Sequence, residues 1–125
     1  MLTDSNAVAT LPVKDLNAAR TFYEGMLGLT PVGSVGDELI VYRTGKTTLN
    51  VYRSDQAGTN KATAVTWVVG EKMDEMVRTL VARGVAFEHY DMRGLERKGD
   101  VHVSGDKKTA WFKDPDGNIL NLATR

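Results

Sequence analysis

The stretch Thr109-Ala110-Trp111-Phe112-Lys113-Asp114-Pro115-Asp116-Gly117-Asn118-Ile119-Leu120-Asn121-Leu122-Ala123-Thr124 reads as two strands joined by a tight reversal. Asp, Pro and Gly in Asp114–Asn118 supply the side-chain acceptor, fixed φ and permitted positive φ that such a turn needs. Side chains alternate along a strand, so Ile119, Asn121 and Ala123 share one face and Leu120 and Leu122 the other. Asn121 is thus the lone polar side chain on its face. Trp111 and Phe112 are adjacent and point to opposite faces. Parity alone leaves open which of them shares a face with Asn121.

Working back from this hairpin, Asp91 to Asp106 is a charged loop with room for a short strand at Val101–Val103, and Val85 to Tyr90 reads as a strand. Glu71 to Arg83 carries Met73, Met76, Val77, Leu80 and Val81 at helical spacing, and Gly84 ends that helix. Both methionines fit its core stripe. Ala62 to Val69 is a strand, with Trp67 expected on the helix side beside Val65 and Val69. Ser54 to Lys61 is a polar, glycine-containing linker without periodicity.

The N-terminal half has the same order of elements. Residues 1–6 read as a frayed end, and Ala7 to Val13 as a strand with Pro12 at its end or on an edge. Asp15 is placed to cap a helix from Leu16 to about Leu27, whose stripe is Ala19, Phe22, Tyr23 and Met26 and whose stop is Gly28. Three strands follow, at about Leu29–Val35, Glu38–Arg43 and Thr47–Arg53. Gly28-Leu29 matches Gly84-Val85 at an offset of 56, and Leu49-Asn50-Val51 matches Leu120-Asn121-Leu122 at an offset of 71. The difference is about the length of the charged loop. The chain therefore predicts two copies of strand–helix–strand–strand–strand, module one at about 7–53 and module two at about 62–124, with the loop inserted in the second.

A length of 125 residues fits one domain able to bury about two-thirds of its unfolded surface. The absence of cysteine excludes disulfides, thiolate metal sites and cysteine nucleophiles. Sixteen basic and sixteen acidic residues leave no basic field for nucleic acid or anionic membrane. No leader pattern or long apolar run is present, so a soluble, cytoplasmic protein is expected.

Val13-Lys14-Asp15-Leu16 with Ala19 and Phe22-Tyr23, then Leu27-Gly28-Leu29, then Trp111 to Asn118, together resemble the vicinal oxygen chelate superfamily over about residues 7–124. That superfamily holds glyoxalases, fosfomycin and bleomycin resistance proteins and extradiol dioxygenases. The resemblance implies an α+β fold in which two βαβββ modules form an incomplete barrel with a concave ligand cup, and it implies a homodimer. Metal-dependent members of the family place His or Glu near the start of each module and on each module's last strand. The matching positions here are Val8, Ala64 or Val65, Asn50 and Asn121. None is His or Glu, and amides beside aliphatic side chains supply too little charge to hold a divalent ion.

The expectation is therefore a metal-free protein, with no cofactor, that binds a small flat or amphipathic molecule. The alternatives are a metal-dependent lyase, isomerase or dioxygenase, or a metal-free enzyme of the same superfamily. The expected ligand-binding residues are Asn50, Asn121, Tyr52, Thr10, Thr66, Trp111 and His89. Asn50 and Asn121 offer paired donors and acceptors, or bond the backbone and each other as buried polar groups usually do. Tyr52, Thr10 and Thr66 add hydroxyls, and Trp111 a stacking surface if it faces the cup. His89 and His102 are the only histidines; imidazole suits acid–base work, yet neither lies at a family ligand position, and surface or packing roles are expected. The charged loop is either a solvated surface or a flap over the cup.

Overall fold

In the computed structural model, which describes residues 1–125, the chain folds as two compact units, Met1–Thr59 and Asn60–Arg125. The first holds β1 (Ala9–Val13), α1 (Leu16–Arg20), β2 (Thr30–Val35), β3 (Leu39–Thr44) and β4 (Thr47–Arg53). Its sheet runs β1-β4-β3-β2, with β1 and β4 parallel and the other pairs antiparallel. Leu11, Val13, Ile40, Tyr42, Leu49 and Val51 turn to one face of this sheet and are buried, as are Leu16, Ala19, Phe22 and Tyr23 of the helical segment. Each large apolar side chain buried this way contributes about 1.5–3 kcal/mol.

Asp15 caps α1 as expected, its Oδ1 accepting from Asn17 N–H at 2.8 Å. The single helix expected to Leu27 is not uniform. After Arg20 it widens into a π-helical segment, Thr21–Met26, in which Leu27 N–H donates to Phe22 C=O at 3.0 Å. Gly25 weakens the α-form there, and a wider turn brings consecutive side chains closer in angle. Phe22 and Tyr23 are accordingly both buried, Tyr23 lying against Tyr42 of β3 with ring centroids 5.9 Å apart. Tyr42 Oη donates to Glu24 Oε2 at 2.8 Å. Burial, and then that carboxylate, push the Tyr42 phenol well above its ordinary pKa.

The second unit holds β5 (Thr63–Val68), α2 (Met73–Ala82), β6 (Phe87–Glu88), β7 (Glu96–Lys98), β8 (Val101–Ser104), β9 (Lys107–Lys113) and β10 (Ile119–Ala123). Its sheet runs β5-β10-β9-β8-β7, with β6 paired to the far end of β9. As in the first unit, the first strand lies parallel to the last. Two open sheets, each with a helix, give the α+β pattern; the first unit is βαβββ, and the second follows the same order with five short strands in place of three after its helix.

Three further differences from the sequence reading lie in the second unit. The strand expected over Val85–Tyr90 shrinks to Phe87–Glu88: at its start Val85 N–H returns to Leu80 C=O and Gly84 N–H to Val81 C=O, both at 3.0 Å, and at its end Tyr90 N–H donates to His102 Nε2, also at 3.0 Å. The two bonds at the start, with Gly84 at φ +100°, are the Schellman closure of α2 and use the backbone that the first residues of a strand would need. The charged loop contains a hairpin, β7–β8, and not one short strand. Val81, expected in the helix stripe, is exposed, while Met73, Val77 and Leu80 are buried.

The C-terminal turn forms as read. Asp114 Oδ1 accepts from Asp116 N–H at 3.0 Å and Asn118 N–H at 2.8 Å, and Oδ2 accepts from Asn118 Nδ2 at 2.7 Å. Gly117, at φ +89°, makes the reversal. Phe112 turns toward the core and lies between Trp67, stacked at 6.4 Å, and Phe87, edge-on at 5.4 Å. Trp67 is thus on the side the sequence suggested. No helix is long and apolar enough to cross a membrane.

Candidate functional site

Parallel pairing of first and last strands sets the candidate residues side by side within each unit. Thr10 of β1 pairs with Asn50 of β4, and Thr66 of β5 pairs with Asn121 of β10. The two pairs are related by the offsets of 56 and 71 found in the sequence. Structure and repeat therefore agree on register, and the counterpart of Val8 is Ala64, since Val65 sits on the opposite face with Leu120.

In the first unit, Thr10, Pro12, Leu39, Val41, Asn50 and Tyr52 lie on the face away from the buried side chains. Tyr52 is 36% exposed. The Thr10 hydroxyl makes only a long 3.4 Å bond to Val8 C=O. The side chains of Asn50 and Tyr52 make no hydrogen bond to protein, so their polar groups are open to a partner from solution.

The second unit is the reverse. Asn121 is 6% exposed. Its Oδ1 accepts from the Thr66 hydroxyl at 3.1 Å, and its Nδ2 donates to Thr109 Oγ1 at 2.6 Å and to Ala110 C=O at 3.0 Å. Thr109 passes its own hydrogen to Leu122 C=O at 3.1 Å. Both amide hydrogens of Asn121 are used, as buried polar groups require. Of the two roles expected for Asn121, bonding to its own fold is the one the geometry displays. Thr109 is the partner that sequence reasoning missed; its position two residues before Trp111, on the same face of β9, is the signal that was available.

Trp111 pairs with Asn121 and so shares its face, which settles the parity question. Its Nε1 donates to Thr63 Oγ1 at 3.2 Å. Tyr90 and His102 meet the indole edge-on at 5.3 Å and 5.0 Å. Of the surface and packing roles expected for His102, the structure shows packing: it is 0% exposed, among aromatic rings and not among the charged groups of its sequence neighbourhood. Its Nε2 accepts from Tyr90 N–H at 3.0 Å and lies 3.1 Å from Tyr90 C=O. Tyr90 Oη and His102 Nδ1 are buried without partners, an arrangement that costs about 1–3 kcal/mol per group where nothing else satisfies it.

His89 lies outside this cluster. Its side chain is 45% exposed and its Nε2 sits 2.7 Å from Asp100 Oδ1. His89–Asp100 and Tyr90–His102 together tie the residues just before the charged loop to Asp100 and His102 within it.

The metal ion that the resemblance implies for some relatives does not fit the donor set here. Val8 and Ala64 have no donor atoms, Asn50 is a neutral amide, and the amide of Asn121 is bonded to β5 and β9. No group of three or more His, Cys, Asp or Glu side chains is placed to hold a metal ion.

The family model for the Glyoxalase/Bleomycin resistance protein/Dioxygenase superfamily matches residues 6–122. No curated protein matches the sequence. Among solved structures, a glyoxalase family protein from Enterococcus faecalis is 21% identical, with a TM-score of 0.72 and 98% of this chain and 99% of that one covered. A lactoylglutathione lyase from Agrobacterium tumefaciens is 18% identical, with a TM-score of 0.71 over 98% and 95% of the two chains. A genomically encoded fosfomycin resistance protein from Listeria monocytogenes, crystallised with Mn(II) and sulfate, is 19% identical, with a TM-score of 0.71 over 98% and 90%. At these identities the likeness is one of fold.

Proposed function

Because the chain belongs to the Glyoxalase/Bleomycin resistance protein/Dioxygenase superfamily but lacks His or Glu at the four family ligand positions, we propose that it binds a small flat or amphipathic molecule without a metal. The observation that carries this reading is the closed network Thr66–Asn121–Thr109. It fills the place where metal-dependent relatives put a last-strand carboxylate, and it does so with groups that satisfy one another. Asn50 and Tyr52 of the first unit offer open polar groups for recognition, and Trp111 of the second offers a flat aromatic surface, each within its own unit. In this reading the protein acts in the cytoplasm and is a homodimer, the dimer being what the resemblance implies.

Elemental analysis after incubation with Mg, Mn, Fe(II), Ni and Zn, followed by desalting, tests it. The expected result is no stoichiometric metal. One bound ion per chain, lost in Asn50→Leu/Asn121→Leu, would falsify the reading and direct attention to lyase, isomerase or dioxygenase chemistry. A second reading is a metal-free enzyme, favoured by the His89–Asp100 contact, in which a carboxylate orients an exposed imidazole. Turnover of a bound ligand that is lost in His89→Gln, with binding retained, separates the two.

A further inference from the structure

The second unit carries a small open pocket of about 250 Å³, walled by Trp111, Tyr90, Met92 and Ile119 with Thr63 and Lys61 at its border. We propose that it holds an aromatic carboxylate of one or two rings, the ring system against Trp111 and the carboxylate on Lys61 Nζ. This names a ligand class for the binding role proposed above and rests on it.

Size sets the first limit. Pockets for drug-sized ligands run to about 300–1,000 Å³, so this one suits a mono- or bicyclic ligand. The wall sets the second. Trp111 is already fixed by its bond to Thr63 and by the edge-on rings of Tyr90 and His102, so little freedom is left for a ligand to freeze. Met92 is 44% exposed, and its thioether is suited to an arene edge.

Charge sets the third. Lys61 is the one charged residue of the lining, and it takes part in no ion pair. One ammonium balances one negative charge. A phosphate dianion would leave charge uncompensated beside Trp111 and Ile119, where desolvation penalises it. A carboxylate matches.

The test uses the ¹⁵N-labelled full chain titrated with 2-naphthoate and with its neutral isostere 2-naphthamide. Naphthoate is expected to move the Trp111 indole N–H and the amides of Thr63 and Ile119. It should bind about fivefold more tightly than the amide, the preference an exposed ammonium can give. Lys61→Met should remove that preference; Lys61 is exposed, so the variant keeps its fold. Equal affinities in the native protein, or a preference that survives Lys61→Met, overturns the proposal. Naphthoate that moves Asn50 and Tyr52 but not Trp111 overturns it too, while leaving the broader binding role intact.

Discussion

Thr66 donates its hydroxyl hydrogen to Asn121 Oδ1 across the β5–β10 pair, whereas Thr10 and Asn50, neighbours in the equivalent place in the first unit, make no such bond. The repeat has kept the residue types and divided their roles. In the second unit the amide is buried and holds three strands together. In the first it is half-buried and free.

That division predicts opposite phenotypes for one substitution made twice. Asn121→Ala strands the Thr66 and Thr109 hydroxyls and Ala110 C=O, and should lower stability by about 1–3 kcal/mol in urea unfolding. Asn50→Ala breaks nothing and should stay within about 0.5 kcal/mol of the native chain. Any ligand bound through the first unit should weaken in Asn50→Ala.

Tyr42 predicts an alkaline limb. Its folded pKa is raised, by burial and by Glu24, while the unfolded phenol ionises near its ordinary value of about 10. Above that value the unfolded chain binds fewer protons than the native one, so stability falls as pH rises. Its contribution is complete below that range. Urea midpoints from pH 8 to 11 should decline, and Tyr42→Phe should flatten the decline.

The C-terminal turn rests on one carboxylate. Asp114→Ala removes the acceptor of three hydrogen bonds and should cost at least about 2 kcal/mol. Gly117→Ala forces a Cβ into φ +89° although nothing crowds it there, and should cost about 1–2 kcal/mol. Thermal unfolding of the two variants checks both figures, and an Asp114→Ala change milder than Gly117→Ala contradicts the account.

His102 should matter to the loop more than to the core. His102→Leu keeps the volume of the side chain but removes the acceptor of Tyr90 N–H. Hydrogen exchange at Tyr90 and through Asp91–Asp100 should quicken, with β9 and β10 protected as before.

The reach of the sequence can be followed through particular residues. Asp114 to Asn118 identified its turn because the needed chemistry lies within five neighbours. Thr47–Arg53 was bounded correctly because alternation is local. Tyr90 was not picked out, and His102 was read among charged groups. Their surroundings come from β9, which is distant along the chain from Tyr90 and joined to His102 through a turn whose register was unknown.

The sequence by itself determined the repeat, the alternation within each strand and the superfamily, since each rests on spacing, parity or a contiguous motif. Only the tertiary structure decided that Asn121 is occupied and Asn50 is not, and that Trp111 and not Phe112 shares the Asn121 face. Hydrogen-bond satisfaction depends on which strands lie alongside, and that pairing is a property of the folded sheet and not of either strand alone.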